Sequence, residues 1–147
     1  MNIPSITAAV LKTWHKQQTI CVGTYNENFI AVMENLACMY FIPKKVFPFS
    51  IEQLLRGAEE MQVERYIPKN GEDAHLTDEM WVSEKGTAQK VQSEHYTAWV
   101  NVKFLKPFAK DAEFRIASEK SPVLVYENDI LVGLVCPIFR KKEGNEQ

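Results

Sequence analysis

Apolar residues along this chain change their spacing several times, and each change marks a new element. Ile3, Ile6, Val10 and Trp14 recur at three and four residues, the stripe of a helix that runs to about Lys16, with Ser5 placed to cap its start. After Gln18 the spacing shortens. Residues 19–25, 29–34 and 38–42 are rich in β-branched and aromatic side chains and are parted by Asn-containing breaks, which predicts three strands in a meander. Helical spacing then returns. Ile51, Leu54, Leu55, Ala58 and Met61 line one face, Ser50 and Gln53 form a capping box, and Phe49 faces Leu54 as a hydrophobic staple.

From Val63 the pattern is β again. Residues 68–78 read as a polar loop around the turn dipeptide Asn70-Gly71. Residues 80–83 and 87–92 flank Glu84-Lys85-Gly86 as a hairpin. Tyr96, Ala98, Val100, Val102 and Phe104 then alternate with His95, Thr97, Trp99, Asn101 and Lys103, a long strand with one dry and one mostly wet face. Residues 113–117 predict a short strand, and 123–126 and 130–138 a last hairpin around Glu127-Asn128-Asp129. Both faces of that final strand are apolar, which predicts a central, buried position. The expected class is α+β, with two short helices packed on antiparallel sheet, in one domain over residues 1–140 followed by a mobile charged tail at 141–147.

Composition agrees with a single core: 147 residues, 46% of them hydrophobic and 24% charged, suffice to fold without disulfides or metals. The net charge of -2 supplies no bulk attraction to nucleic acid or to an acidic membrane. The longest apolar runs, such as 131–138, are too short to span a bilayer, and Met1-Asn2-Ile3-Pro4 does not open a signal peptide. Cys21, Cys38 and Cys136 are odd in number and embedded in apolar stretches, the pattern of reduced core thiols in a cytoplasmic protein.

Candidate chemistry is sparse. The six glycines are scattered and build no phosphate loop, and there is neither a C-x-x-C nor an H-E-x-x-H, so no cofactor and no metal are expected. His75 beside Glu72, Asp73, Asp78 and Glu79 lacks both a second His at ligand spacing and the alternation of a calcium loop, and reads as a solvated acidic loop. None of the cysteines has a base in its sequence context, so no catalytic residue is assigned. Trp99 has two readings: a partly exposed tryptophan of the kind interfaces favour, or core beneath a covering helix. Lys12 and Lys16, at i and i+4 with His15 between them, either meet phosphates or form a solvated helix face.

The stretch Gly133-Leu134-Val135-Cys136-Pro137-Ile138-Phe139-Arg140 resembles the closing strand of the bacterial DNA sliding clamp, the polymerase processivity factor. Pro137, Ile138 and Arg140 match its methionine-proline-hydrophobic-x-arginine pattern, with Cys136 in the methionine position. The order helix, meander, helix, meander is similar to one clamp domain. This resemblance implies that the two helices line a DNA side, where Lys12, Lys16 and Arg56 are the cations on offer. It also implies that the closing strand borders a hydrophobic cleft for short peptides of partner proteins. The functional expectation is a non-enzymatic interaction module that binds protein, with self-association foremost, or protein together with DNA, as an accessory protein of replication or of a mobile element. Its partner contacts would run through Trp99, Pro137, Ile138 and Arg140. The alternative is a small-molecule enzyme or ligand binder with a site built from scattered residues. A deep polar pocket favours the second and an apolar surface patch the first.

Overall fold

The computed structural model of the chain describes residues 1–17, 20–34, 37–47, 58–84 and 86–139. Helix α1 (Ile3–Gln17) opens it. Its cap is Asn2 rather than Ser5: the Asn2 side-chain oxygen accepts the Ser5 N–H at 3.1 Å. Pro4 then falls in the first turn, where its missing N–H leaves nothing unpaired. Ile6 and Val10 are buried beneath the helix, while Lys12 and Lys16 stay exposed.

β1 (Ile20–Tyr25), β2 (Phe29–Glu34) and β3 (Cys38–Pro43) form the expected antiparallel meander. The stripe assigned to a second helix ends otherwise. Ala58 begins a short strand, β4 (Ala58–Glu60), parallel to β1, and the Met61 N–H extends the pairing onto the Val22 carbonyl at 2.8 Å. The open edge of β1 offers backbone partners there, and they outweigh the helical spacing of Ala58 and Met61. Phe49, Ser50, Gln53, Leu54 and Arg56 lie outside the described residues. Val63 starts not a strand but a 3-10 turn (Val63–Tyr66). It packs over Gly23, where a Cβ would stand 2.6 Å from Val63 Cγ2 and 2.8 Å from the Met61 carbonyl oxygen.

The expected polar loop closes early. Asn70 turns the chain with φ 62°, and β5 (Glu72–Ser83) begins two residues later. Its polar residues on both faces hide it from periodicity, and pairing with β6 (Gly86–Ser93) and with β8 (Glu113–Ile116) holds it extended. β7 (Thr97–Asn101) is shorter than its alternation implies. The Asn101 side chain accepts the Lys103 N–H at 3.0 Å and caps a single helical turn, α2 (Val102–Leu105), which delivers Phe104 to the core. β9 (Val123–Glu127) and β10 (Ile130–Val135) are the last strands among the described residues and join around Asn128 and Asp129, both at positive φ.

One ten-stranded sheet results, in the order β4-β1-β2-β3-β10-β9-β8-β5-β6-β7, antiparallel except where β4 meets β1. The class is α+β but sheet-dominated, and α2 is only four residues long. No helix among the described residues is long and apolar enough to cross a membrane.

β3 and β10 lie side by side in the middle of this order, as two apolar faces require. Cys38, Tyr40, Ile42, Val132 and Val135 join an inner cluster with Ile6 and Val10 of α1 and with Phe104 and Phe108. Met39, Phe41, Leu131 and Leu134 join an outer cluster covered by Val63, Met61 and Ile67. Val132 is the extra residue of a bulge against β9. Beside it Gly133 leaves room for a ring, since a Cβ there would stand 2.5 Å from Phe108 Cζ and 2.7 Å from the Met39 carbonyl oxygen. Buried Tyr40 stands near the same ring at 5.3 Å between centroids, and its single hydroxyl proton is shared between two acceptors, Glu34 Oε2 at 3.1 Å and the Phe104 carbonyl at 3.2 Å.

The chain past β10 ties the sheet to its own edge. The Cys136 N–H donates to the Ala37 carbonyl at 2.7 Å, and the Ile138 N–H donates to the Trp99 carbonyl at 2.6 Å. That one bond brings the chain past β10 onto β7, the strand at the far end of the order.

Because Gly133 is wedged between a ring and a backbone carbonyl, Gly133→Ala is expected to lower stability by about 1–3 kcal/mol. A denaturant titration reads this as a lower midpoint at unchanged slope. An unchanged midpoint would show that Phe108 and β3 move aside freely.

Candidate functional site

The alternation along β7 decides between the two readings of Trp99. Ala98 and Val100 are buried to 2% and 0% exposure, so Trp99 points to the opposite face, where it is half-buried. It stands across from Lys90, which reaches Glu79 Oε2 at 2.5 Å. Trp81 stands on the same face across from Ala88, which is only 2% exposed although it lies on the outer side. In the register Ala88 stands between Trp81 of β5 and Asn101 of β7, and Trp99 is one pair further along the same face. Trp99 is thus neither core nor fully exposed.

The structure brings Trp99 together with two of the residues singled out at the other end of the chain. The Ile138 N–H bonds the Trp99 carbonyl, and Pro137 and Ile138 are half-buried there, followed by Phe139 at 65% exposure. Pro137 has no N–H to offer a ladder, which is why regular pairing of β10 stops at Val135. Arg140 lies outside the described residues, as does Arg56 of the expected cation set. Lys12 and Lys16 remain on the exposed side of α1.

Against the same end of β10 lies a cavity of about 120 Å³. Met33, Met39, Tyr66, Pro122, Leu134 and Cys136 bound it, with Cys38 at its inner side. These residues come from β2, β3, the 3-10 turn, the approach to β9, and β10. Its walls are almost wholly apolar. Pockets for small organic ligands run to roughly 300 Å³ or more, whereas this volume suits one apolar side chain.

The cysteines differ from one another. Cys38 is buried and burial pushes its thiol up. Cys21 is half-buried. Cys136, expected in the core, is exposed at the rim of the cavity because the chain leaves the sheet at that residue. Desolvation by the apolar wall still pushes its thiol up, the reverse of what a nucleophile needs.

The acidic loop around His75 resolves into separate pairs once β5 is a strand. Asp73 Oδ1 stands 3.4 Å from Arg115 Nε, and Glu79 is held by Lys90. Glu72 accepts the Ser93 hydroxyl, the His95 N–H at 2.8 Å and His95 Nδ1 at 2.9 Å. Ser93 gives its proton to the carboxylate and not to His95, so this trio is no nucleophile relay. It is a clamp on the turn between β6 and β7, where the Ser93 N–H also meets the Tyr96 carbonyl at 2.9 Å. Among the described residues no three His, Cys, Asp or Glu side chains gather as metal ligands.

In comparisons with protein-family models, with curated proteins and with solved structures, nothing matches this chain.

The Ser93 hydroxyl, followed by the ring and backbone N–H of His95, holds the Glu72 carboxyl down to about 2. The unfolded chain titrates this group near 4.5. Its stabilisation is therefore complete above that pH and disappears as the pH falls toward the folded value. Thermal melts across this acid range are expected to show the parent losing Tm more steeply than Glu72→Gln, with the two curves converging at the acid end. Parallel curves would remove Glu72 as an acid-labile clamp.

Proposed function

We propose that this chain is a non-enzymatic interaction module that binds protein, with a second copy of itself as the first partner to test. The observation that carries the reading is the apolar cleft beside the end of β10, walled by Leu134 and Cys136 of the stretch that resembles a clamp's closing strand. A cleft sized for one aliphatic or aromatic side chain is what an anchor residue of a partner segment fills. Trp99 and Ile138, joined by a backbone hydrogen bond, supply a second apolar contact. A clamp-like accessory role that adds DNA remains part of the proposal only through Lys12 and Lys16, exposed on α1. Two lysines on a chain of net charge -2 support at most a weak, salt-sensitive contact.

Light scattering tests the reading directly. The parent is expected to scatter above its monomer mass of 16.9 kDa. Trp99→Ala and the cleft-filling Cys136→Trp should each weaken association by about 2 kcal/mol, roughly thirtyfold. Trp99 fluorescence, recorded with Trp14 and Trp81 replaced by Phe, should be quenched by solute less in the associated state than on dilution. A parent that stays monomeric at high concentration, with Trp99 quenching that does not change on dilution, would overturn the proposal.

A further inference from the structure

Among the described strands β5 is the longest, and none of its residues is fully buried. β6 accompanies it to Ser83, but β8 pairs only with Glu72–Ala74, so among the described residues no strand flanks its other side beyond Ala74. The pairing with β6 slips between Leu76 and Met80, and Thr77 absorbs the slip. Its hydroxyl donates to the Lys90 carbonyl at 3.2 Å and accepts the Glu79 N–H at 3.2 Å, while its carbonyl accepts Gln89 Nε2 at 2.9 Å. Past that point Met80–Ser83 runs in register with β6. Met80 and Val82 share one face and are 51% and 75% exposed. An edge that no described strand covers, carrying the exposed apolar side chains of Met80 and Val82 at alternate positions, is the geometry to which an extended segment adds as a strand.

The charges along this edge select the occupant. Asp78 and Glu84 are exposed at its two ends, and Glu79 between them is already matched by Lys90. A second copy pairing antiparallel about Trp81 would set Met80 against Val82, but it would also set Asp78 against Glu84 at both ends. The carboxylates that block self-pairing attract a strand with a cation at each end. We infer that the outer edge of β5 at Met80–Ser83 binds an extended segment of another protein, apolar at alternate positions and carrying Lys or Arg at both ends. This surface is separate from the cleft at Cys136 and does not depend on it.

The probe is a short blocked peptide, Lys-Val-Thr-Val-Thr-Val-Lys, compared with its twin in which glutamate replaces both lysines. Amide shifts in the full chain are expected to move at Met80–Ser83 with the lysine peptide, at least about tenfold tighter than with the twin at low salt. Exchanging the charges on the protein, as Asp78→Lys with Glu84→Lys, should reverse the preference, and both positions are exposed, so the fold is kept. Met80→Pro, which removes a ladder N–H, should abolish the shift while a far-ultraviolet spectrum verifies the sheet. Equal affinity for both peptides, shifts confined to the cleft around Leu134 and Cys136, no shift at millimolar peptide, or concentration-dependent protection of β5 amides without peptide would each overturn the inference.

Discussion

In the antiparallel pairing of β10 with β3, Gly133 stands opposite Tyr40 and Val135 opposite Cys38, and apolar side chains point both ways from the same two strands. Neither face of that pair tolerates water, because each fully buried Leu, Ile, Val or Phe contributes about 1.5–3 kcal/mol. The remainder of the chain is organised to cover the two sides. α1, α2 and the curl of β5 to β7 close the inner side. The outer side is closed by Met61, Val63 and Ile67, a thin cover that fits because Gly23 lets Val63 down onto β1. Exposed ion pairs such as Lys90–Glu79 contribute well under 1 kcal/mol each beside these terms.

The candidate site follows from where this covering stops. The outer layer brings Tyr66 to one wall of this corner, and the chain past β10 turns away at Cys136 toward Trp99. The uncovered corner between them is the cleft. It is apolar because it is an unfilled part of the outer core, and it is small because Met33, Met39 and Leu134 already pack around it.

Most of the strands were legible as sequence because their alternation or two-sided apolar character has one structural solution. The meander of β1 to β3 and the central place of β10 follow in that way. The stretch from Ala58 to Tyr66 was not legible, because its helical spacing competes with a backbone edge that only the folded β1 presents. The start of β5 was hidden by Glu72, Asp73, His75 and Asp78, polar residues that a strand keeps when both faces reach water. Of the site, Trp99 and Ile138 could be singled out from sequence but not as neighbours. Met33, Tyr66 and Pro122 gave no signal, since an apolar residue lining a cleft reads the same as one filling a core.

The two central strands are also far apart in the chain. β3 ends at Pro43, and its partner begins at Ile130. Local elements form early, and α1 can settle on the inner face of the meander, but the β3 edge has no partner strand until that distant segment arrives. Loop closure on this scale is paid before any contact rewards it, which slows acquisition of the native state. On a ribosome β3 therefore emerges and waits with its edge unpaired and with Met39 and Phe41 open to solvent, and during this interval the nascent chain is most exposed to aggregation and most dependent on chaperones.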